Sequence, residues 1–374
     1  MSFIVSQFLR LLSIIAVLVI HGSHSAQLQY RQPDTADAGD FIGVLLNQLS
    51  RFAVPMFVFL SGYGLSIKFR KDQHEGILKS AISFYKNRLT RIGVPFIVWT
   101  IGILWMSHRI GYFEHDNLWQ SVKTVGYTMY ATGADYHFYF FTIILWCYLF
   151  FPLLARIRTG SWLHFSVLVL LFLVQITYQS PSHYIFQHYG VDRPKFPSSF
   201  FFKWLFYFYL GMTLAIYDLR KKAATVAISS NKPSAIWPAI FVVVSFAIVF
   251  AEYLYYNNGQ DPGNFDHFHR YTIWFYTLSF IWYYRTTNDK LTNYFDSRPG
   301  LQSMVVYLAQ ISFTVYIIHT WILRLLQLGV SEMYSRLAIL LIGSFAVAFI
   351  LDRILSHRNH KLIHFLRLVL GLPK

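Results

Sequence analysis

Ten stretches of mostly apolar residues recur along the chain, and they constrain its fold more than any other feature. They are residues 3–22, 41–67, 92–110, 137–155, 161–179, 198–217, 235–254, 269–284, 301–326 and 335–355. A helix of about 20 apolar residues crosses the roughly 30 Å hydrocarbon core of a bilayer. Only 13% of the 374 residues are charged, against about 25% in ordinary soluble proteins. The sequence therefore predicts an all-α, polytopic integral membrane protein with about ten transmembrane helices. We expect one membrane-embedded domain over 1–374, without a separate soluble domain.

The distribution of basic residues predicts the orientation of the chain. If the N-terminus is cytoplasmic and all ten stretches cross, 21 of the 32 Lys and Arg residues lie in cytoplasmic segments. Cytoplasmic loops of membrane proteins are enriched in these residues. We therefore expect a multi-pass protein of the cell membrane with both termini cytoplasmic. The net charge of +15 then reflects orientation and contact with anionic lipids, and not binding of nucleic acid.

The first stretch has a second interpretation, as part of a cleaved signal peptide over residues 1–26. Its removal would leave nine crossings and place the termini on opposite sides. Arg10 is the only cation in this region, and it lies too deep in the apolar segment to serve as the basic start of a signal peptide. We therefore favour a retained helix.

Arg10 and His21 give the first predicted helix a polar face. Eleven residues separate them, so they share nearly the same face and differ in height by about 16 Å. Ionisable groups inside a bilayer cost about 2.5–3.5 kcal/mol each on insertion scales, and they usually carry function or find a partner. His24 lies one turn beyond His21. The alternative is a snorkelling arginine with an interfacial histidine.

Polar residues also interrupt the second and ninth stretches. Asn47 and Arg51 lie one turn apart, and Arg51 either lines the same cavity or ties helices together through backbone carbonyls. Tyr316 and His319 share a helix face, where His319 is either a packing residue or part of the site. We treat these four residues and His24 as candidates for substrate binding or for lining a cavity.

A basic amphipathic segment from Lys79 to Arg91 lies between the second and third stretches. Arg88 and Arg91 are one helical turn apart in it, with Lys86 nearby. Guanidinium groups spaced in this way can bind phosphates bidentately. The alternative is a lipid anchor that follows from the charge bias of cytoplasmic loops.

Several function classes lack support in the sequence. It contains no P-loop, no GxGxxG motif before a helix, no HExxH motif and no GxSxG motif. The single cysteine, Cys147, excludes an internal disulfide and a cysteine-based metal site. We therefore expect neither ATP-driven transport nor dinucleotide or zinc chemistry, and no metal.

Six short motifs, in order along most of the chain, resemble the membrane-bound acyltransferase 3 family. They are Arg10 with His21 eleven residues later, VPMFVFLSGY at 54–63, Arg88-Leu-Thr-Arg91 before Pro95, HFYFF at 137–141, YLGM at 209–212 and SFTVYIIH at 312–319. One departure is Ser6-Gln7, where the family often has acidic residues. Residues 161–217 and the basic, hydrophobic tail resemble the branch that contains intercellular adhesion protein C, which is associated with modifying or exporting an exopolysaccharide.

The resemblance implies transfer of an acyl group from cytoplasmic acyl-CoA, acetyl-CoA first of all, to a hydroxyl of an extracytoplasmic glycan. In that chemistry Arg88, Arg91 and Lys86 would bind the donor. His21 would act as general base or carry the acyl group as a nucleophile. Arg10 would stabilise the charge that develops on the thioester carbonyl or guide the pantetheine arm.

Two other functions fit the same helices. An exporter or flippase of a surface polysaccharide or its precursor is the main alternative, although no two-half repeat of the kind many transporters contain is evident. A scaffold for glycan synthase or export proteins is the other. The acyl group is acetyl in the simplest case, with succinyl as the alternative, and the acceptor is a surface glycan.

Overall fold

The computed structural model describes residues 1–30, 36–71, 77–106, 118–131, 133–179, 186, 188–190, 197–224, 234–257, 268–356 and 360–373. Within these ranges every regular element is a helix. The first eight are α1 (Phe3–Gly22), α2 (His24–Tyr30), α3 (Ala38–Leu49), α4 (Ala53–Lys71), α5 (Ile77–Arg88), α6 (Val94–Met106), α7 (Leu118–Ala131) and α8 (Tyr139–Leu154). The next eight are α9 (Trp162–Thr177), α10 (Leu205–Ala224), α11 (Ile236–Asn257), α12 (Tyr271–Thr286), α13 (Asn288–Asp296), α14 (Pro299–Gly329), α15 (Met333–Ser356) and α16 (Lys361–Val369). Leu89–Gly93 forms a π-helical turn between α5 and α6, and Phe201–Lys203 a 3₁₀ turn before α10.

The prediction of a multi-pass, all-α protein is confirmed for the described residues. Six helical segments are long and apolar enough to cross a membrane: Phe3–Gly22, Ala38–Phe69, Lys79–Met106, Ile236–Tyr255, Pro299–Gly329 and Met333–Ser356. Tyr139–Leu154 and Trp162–Thr177 are shorter apolar helices. A described helix overlaps each of the ten predicted stretches, while their number as crossings and the side on which the termini lie stay predictions. Residues 107–110 of the third stretch lie outside the described residues.

The second predicted stretch, 41–67, is two helices and not one. The backbone leaves the helix at residues 50–52, between α3 and α4. Pro55 explains this interruption, because proline has no N–H to donate to the carbonyl of Arg51 four residues earlier. Proline is tolerated in the first turn of a helix, which is where Pro55 lies in α4. The break places Arg51 inside the bundle, where 6% of its surface is exposed.

Helices α4 and α10 cross at very short range through a reciprocal pair of glycines. A Cβ on Gly62 would overlap the carbonyl oxygen of Phe208, and a Cβ on Gly211 would overlap the carbonyl oxygen of Phe59. Both glycines belong to motifs that the sequence analysis singled out. Their role in the structure is to let two backbones meet, as small residues do in membrane helix pairs.

Helix α1 runs through the middle of the bundle and packs against α3, α4, α14 and α15. Ser2 caps its first turn by accepting a hydrogen bond from the backbone N–H of Val5. Most of the helix is buried, including Ile14 and Leu18, which are fully inaccessible. Its two ends therefore carry Arg10 and His21 into different parts of the bundle, which we call the Arg10 end and the His21 end.

Candidate functional site

Three histidines meet at the His21 end, although they come from distant parts of the chain. The ring of His21, in the last turn of α1, lies 5.2 Å from that of His319 in α14. His319 in turn lies 5.0 Å from His137, which belongs to the turn just before α8. The backbone carbonyl of Tyr316 lies 2.7 Å from Nδ1 of His319, which fixes this imidazole within its own helix. His137 and His319 are almost fully buried, whereas His21 is partly accessible.

Asn47 ties the end of α1 to α3. Its side-chain amide donates to the carbonyl of Ile20 at 3.0 Å and to the hydroxyl of Ser23 at 3.1 Å, on either side of His21. The amide oxygen of Asn47 accepts from Arg51 at 2.6 Å. Arg51 also acts electrostatically on His21. The break between α3 and α4 thus brings one amide and one guanidinium against the helix turn that carries His21.

A second layer of polar contacts holds α3 from behind. Arg270 is fully buried and donates to the side-chain oxygen of Gln48 at 2.5 Å. The same guanidinium forms an ion pair with Glu252 at 3.1 Å. Gln48 donates weakly to Asn47, over 3.4 Å. This chain of contacts connects α11 and α12 to the residues around His21.

An ion pair and a cavity adjoin the histidines. Arg324 of α14 lies 2.8 Å from the carboxylate of Asp135, and His137 lies 3.7 Å from the same carboxylate. Tyr136 places its ring edge-on to His21, with the centroids 5.0 Å apart. Partial burial and then the Asp135 carboxylate raise the pKa of the Tyr136 hydroxyl, so it remains a hydrogen-bond donor. A cavity of about 730 Å³ is lined by Asp135, Tyr136, Tyr139, Ser198, Trp321 and Arg324, among others.

The Arg10 end contains a separate cluster of cations. Arg88, at the end of α5, places its guanidinium 5.7 Å from the ring centroids of Phe84 and Tyr148. Arg10 is within electrostatic range of both Tyr148 and Arg88. Among the described residues, no carboxylate forms an ion pair with Arg10 or Arg88. Two guanidinium groups within electrostatic range of each other, with no ion-paired acid among the described residues, would be stabilised by an anion.

The face of α1 between the two ends is apolar. Ile14 and Val17 occupy the positions between Arg10 and His21, and Leu18 flanks them. All three are almost fully buried. This face therefore packs against other helices of the bundle and places no charged side chain between Arg10 and His21.

The structure brings several predicted residues together and leaves others apart. His21, Asn47, Arg51, Tyr316 and His319 converge at the His21 end, while Arg10 and Arg88 lie within electrostatic range of each other at the opposite end. Lys86, near the end of α5, and Arg91, in the π-helical turn that follows Arg88, are exposed. His24 is also exposed, and its ring lies 3.4 Å from the side-chain oxygen of Gln27.

His137 was not predicted as a site residue, and neither were Asp135, Tyr136, Arg270 and Arg324. His137 appears above only within the motif at 137–141. The available signal was Asp135-Tyr136-His137, three polar residues that directly precede an apolar helix. Among the described residues, no group of three His, Cys, Asp or Glu is arranged to hold a metal ion.

Taken together, the described residues provide an imidazole near a cavity at one end of α1 and two guanidinium groups within electrostatic range of each other at the other. A family model described as an acyltransferase domain matches residues 6–353 of the chain. No curated protein and no solved structure matches it.

Proposed function

The chain belongs to the acyltransferase 3 family, and from this premise we propose that it transfers an acyl group, acetyl in the simplest case, from cytoplasmic acyl-CoA to a hydroxyl of an extracytoplasmic surface glycan. The observation that carries the proposal is the arrangement along α1. A partly accessible imidazole lies beside a cavity at one end, and two guanidinium groups that have no acidic partner in the described part of the chain lie at the other. A membrane enzyme that joins a charged donor on one side to an acceptor on the other needs both features.

The donor end is the Arg10 end. The phosphates of the donor would be bound by Arg88 inside the bundle, with Lys86 and Arg91 at its exposed rim. Arg10 lies about 16 Å along α1 from His21, which is too far for it to touch a carbonyl at His21. We therefore give Arg10 the role of guiding the pantetheine arm. The face at Ile14 and Val17 has the apolar character that suits that uncharged arm, but it is packed against other helices, so these helices would have to separate for the arm to carry the acyl group towards His21.

The chemical step takes place at the His21 end. A neutral His21 takes the proton of the acceptor hydroxyl, and the oxygen attacks the thioester carbonyl. The tetrahedral intermediate then expels the thiolate of CoA as the carbon–sulfur bond breaks. The ester remains on the sugar, and the proton on His21 passes to the thiolate. Arg51, the guanidinium beside His21, would stabilise the negative charge on the carbonyl oxygen.

His319 and Asn47 support this role of His21. The carbonyl of Tyr316 holds the His319 ring, against which His21 packs. Asn47 holds the backbone on either side of His21. An imidazole fixed in this way loses little further freedom when the acceptor binds, which is the basis of positional catalysis.

The direct experiment uses the purified full-length protein in sealed liposomes. Labelled acetyl-CoA is supplied on one side and a glycan acceptor on the other, and base-labile label on the glycan is measured. Acyl transfer across the bilayer supports the proposal. If label reaches the glycan only when both substrates are on the same side, the transmembrane part of the proposal is wrong. A trapped acyl-His21 adduct would make His21 an acyl carrier and not a base.

Export of a surface polysaccharide is the second candidate. The resemblance of residues 161–217 to the intercellular adhesion protein C branch favours export. The same resemblance favours an exopolysaccharide as the acceptor if the protein is an acyltransferase. An exporter needs a continuous polar route for a glycan, and the apolar face of α1 between Arg10 and His21 does not offer one. The amount of polymer outside the cell separates the two functions, because an exporter mutant lacks surface polymer and an acyltransferase mutant lacks only its esters.

A further inference from the structure

The cavity beside the histidines has the composition of a sugar-binding site. Its volume of about 730 Å³ lies within the range of small-molecule pockets, roughly 300–1,000 Å³. Three aromatic side chains line it, namely Tyr136, Tyr139 and Trp321, together with the polar pair Asp135 and Arg324. Aromatic rings pack against the apolar C–H faces of sugars, while a few polar groups fix the orientation of the hydroxyls.

We propose that this cavity is the acceptor subsite and that it binds an uncharged sugar unit of the glycan. The inference rests on the proposed acyl transfer, and it adds where the acceptor lies and which class of sugar is selected. Tyr136 makes the link to the chemistry, because it lines the cavity and also contacts the ring of His21. His21 is not itself part of the cavity wall, so a sugar in the cavity would reach the imidazole past the edge of Tyr136.

The selection for an uncharged sugar follows from the ion pair. Arg324 and Asp135 lie 2.8 Å apart, and among the described lining residues they are the one cation and the one anion. Their charges offset each other, so the cavity carries no net charge to attract an acidic or a basic sugar. A carboxylate on the sugar would compete with Asp135 for Arg324. Asp135 would then be left without its partner, which lowers the affinity for an acidic sugar.

The hydroxyl of Tyr136 is the hydrogen-bonding group of the wall that suits a polar ligand best. The indole N–H of Trp321 has no acceptor among the described residues, but it has almost no accessible surface and so does not face the cavity. The Trp321 ring itself is held by Arg324, whose guanidinium lies 5.1 Å from the ring centroid. The hydroxyl of Tyr136 remains protonated and can donate to a sugar oxygen.

Trp119 of α7 provides a matched control for Trp321. It also has a cation over its ring, Lys123 at 5.2 Å, but it is exposed and is not part of the cavity wall. The test measures binding by isothermal titration calorimetry with the full-length protein in nanodiscs. The probes are the neutral trisaccharides chitotriose, maltotriose and cellotriose, with trigalacturonic acid as the acidic probe.

We expect wild type and Trp119→Ala to bind at least one neutral probe more tightly than trigalacturonic acid. Trp321→Ala weakens that binding by about tenfold or more, as truncation of a central aromatic contact does, while Trp321→Phe retains most of it. Asp135→Asn leaves Arg324 unpaired and shifts the preference towards trigalacturonic acid. Size-exclusion profiles establish that each variant is folded.

Several results would overturn the subsite. They are failure of every neutral probe to bind wild type, equal losses in Trp321→Ala and Trp119→Ala, or an unchanged preference in Asp135→Asn. Displacement of the probes by phospholipid alone would assign the cavity to lipid instead. Because binding is measured without a donor, sugar binding that persists in a protein unable to transfer acyl groups would refute the proposed function and leave the subsite intact.

Discussion

Replacement of Asn47 by alanine tests whether the contacts around His21 do more than hold helices together. Asn47 is fully buried and makes four side-chain hydrogen bonds, two of them to the backbone carbonyl and the hydroxyl that flank His21 in the chain. The substitution removes all four and leaves the guanidinium of Arg51 without its 2.6 Å acceptor. We expect both the stability of the protein and the rate of acyl transfer to fall.

The structure sets the size of these effects. Hydrogen bonds between membrane helices contribute about 0.6 kcal/mol each on average, and less than about 2 kcal/mol at most. Four such bonds, one of them to a charged group, correspond to a loss of about 2–3 kcal/mol in the free energy of unfolding. The rate should fall further than this loss of stability explains, because a displacement of about 1 Å in a reacting group can cost a hundredfold in rate.

The assay compares Asn47→Ala with Asn47→Asp and with Asn87→Ala. Asn87 is an exposed asparagine of α5 and serves as the matched control. Asn47→Asp keeps an acceptor for Arg51 but loses both donations to α1, so we expect it to lose activity while recovering part of the stability. Thermal unfolding and acyl transfer are measured on each variant. If Asn47→Asp has wild-type activity, or if Asn47→Ala behaves like Asn87→Ala, the idea that Asn47 positions His21 is wrong.

Two further pairs of variants test the fold and the donor site. Gly62→Ala should destabilise the protein by about 3 kcal/mol or more, because the new Cβ would lie 2.9 Å from the backbone carbonyl carbon of Phe208 in α10. A Cβ on Gly64 would have nothing within 4 Å, so the control Gly64→Ala should have almost no effect. Equal melting temperatures of the two variants would contradict the close crossing of α4 and α10. Arg88→Gln should raise the KM for acetyl-CoA by about tenfold, as loss of a charge-assisted contact does. Arg91→Gln should raise the KM less, because Arg91 is exposed. A larger effect of Arg91→Gln would mean that the donor binds outside the bundle.

The sequence contained enough information to predict the class of fold and the ends of α1. Hydropathy and charge bias report directly on burial in a bilayer, and an eleven-residue spacing on a helix reports on a shared face. Arg10 and His21 could therefore be singled out with no knowledge of their neighbours. The family resemblance rests on short motifs of the same local kind, and the match over 6–353 confirms the family.

The composition of the His21 end could not be predicted in the same way. Arg324 and Asp135 are 189 residues apart in the chain, and Arg270 and Gln48 are 222 apart, so only tertiary packing brings them together. The break at residues 50–52 was not predicted, although Asn47 and Arg51 interrupt the apolar stretch there. Pro55 was the local signal of a break in the helix. Where the Arg51 side chain then lies depends on its tertiary contacts, which the local sequence does not give.

The central claim is that His21 takes part in acyl transfer, and the ester content of the cell-surface glycan tests it most directly. Mild base releases the ester groups, which are then measured by mass spectrometry. Four strains are compared: wild type, a deletion, His21→Ala and His364→Ala. His364 is an exposed histidine of α16 and serves as the control. We predict that the polymer persists in all four strains and that its esters disappear in the deletion and His21→Ala strains alone. Unchanged esters per sugar in His21→Ala, with less polymer outside the cell, would contradict the account and favour export.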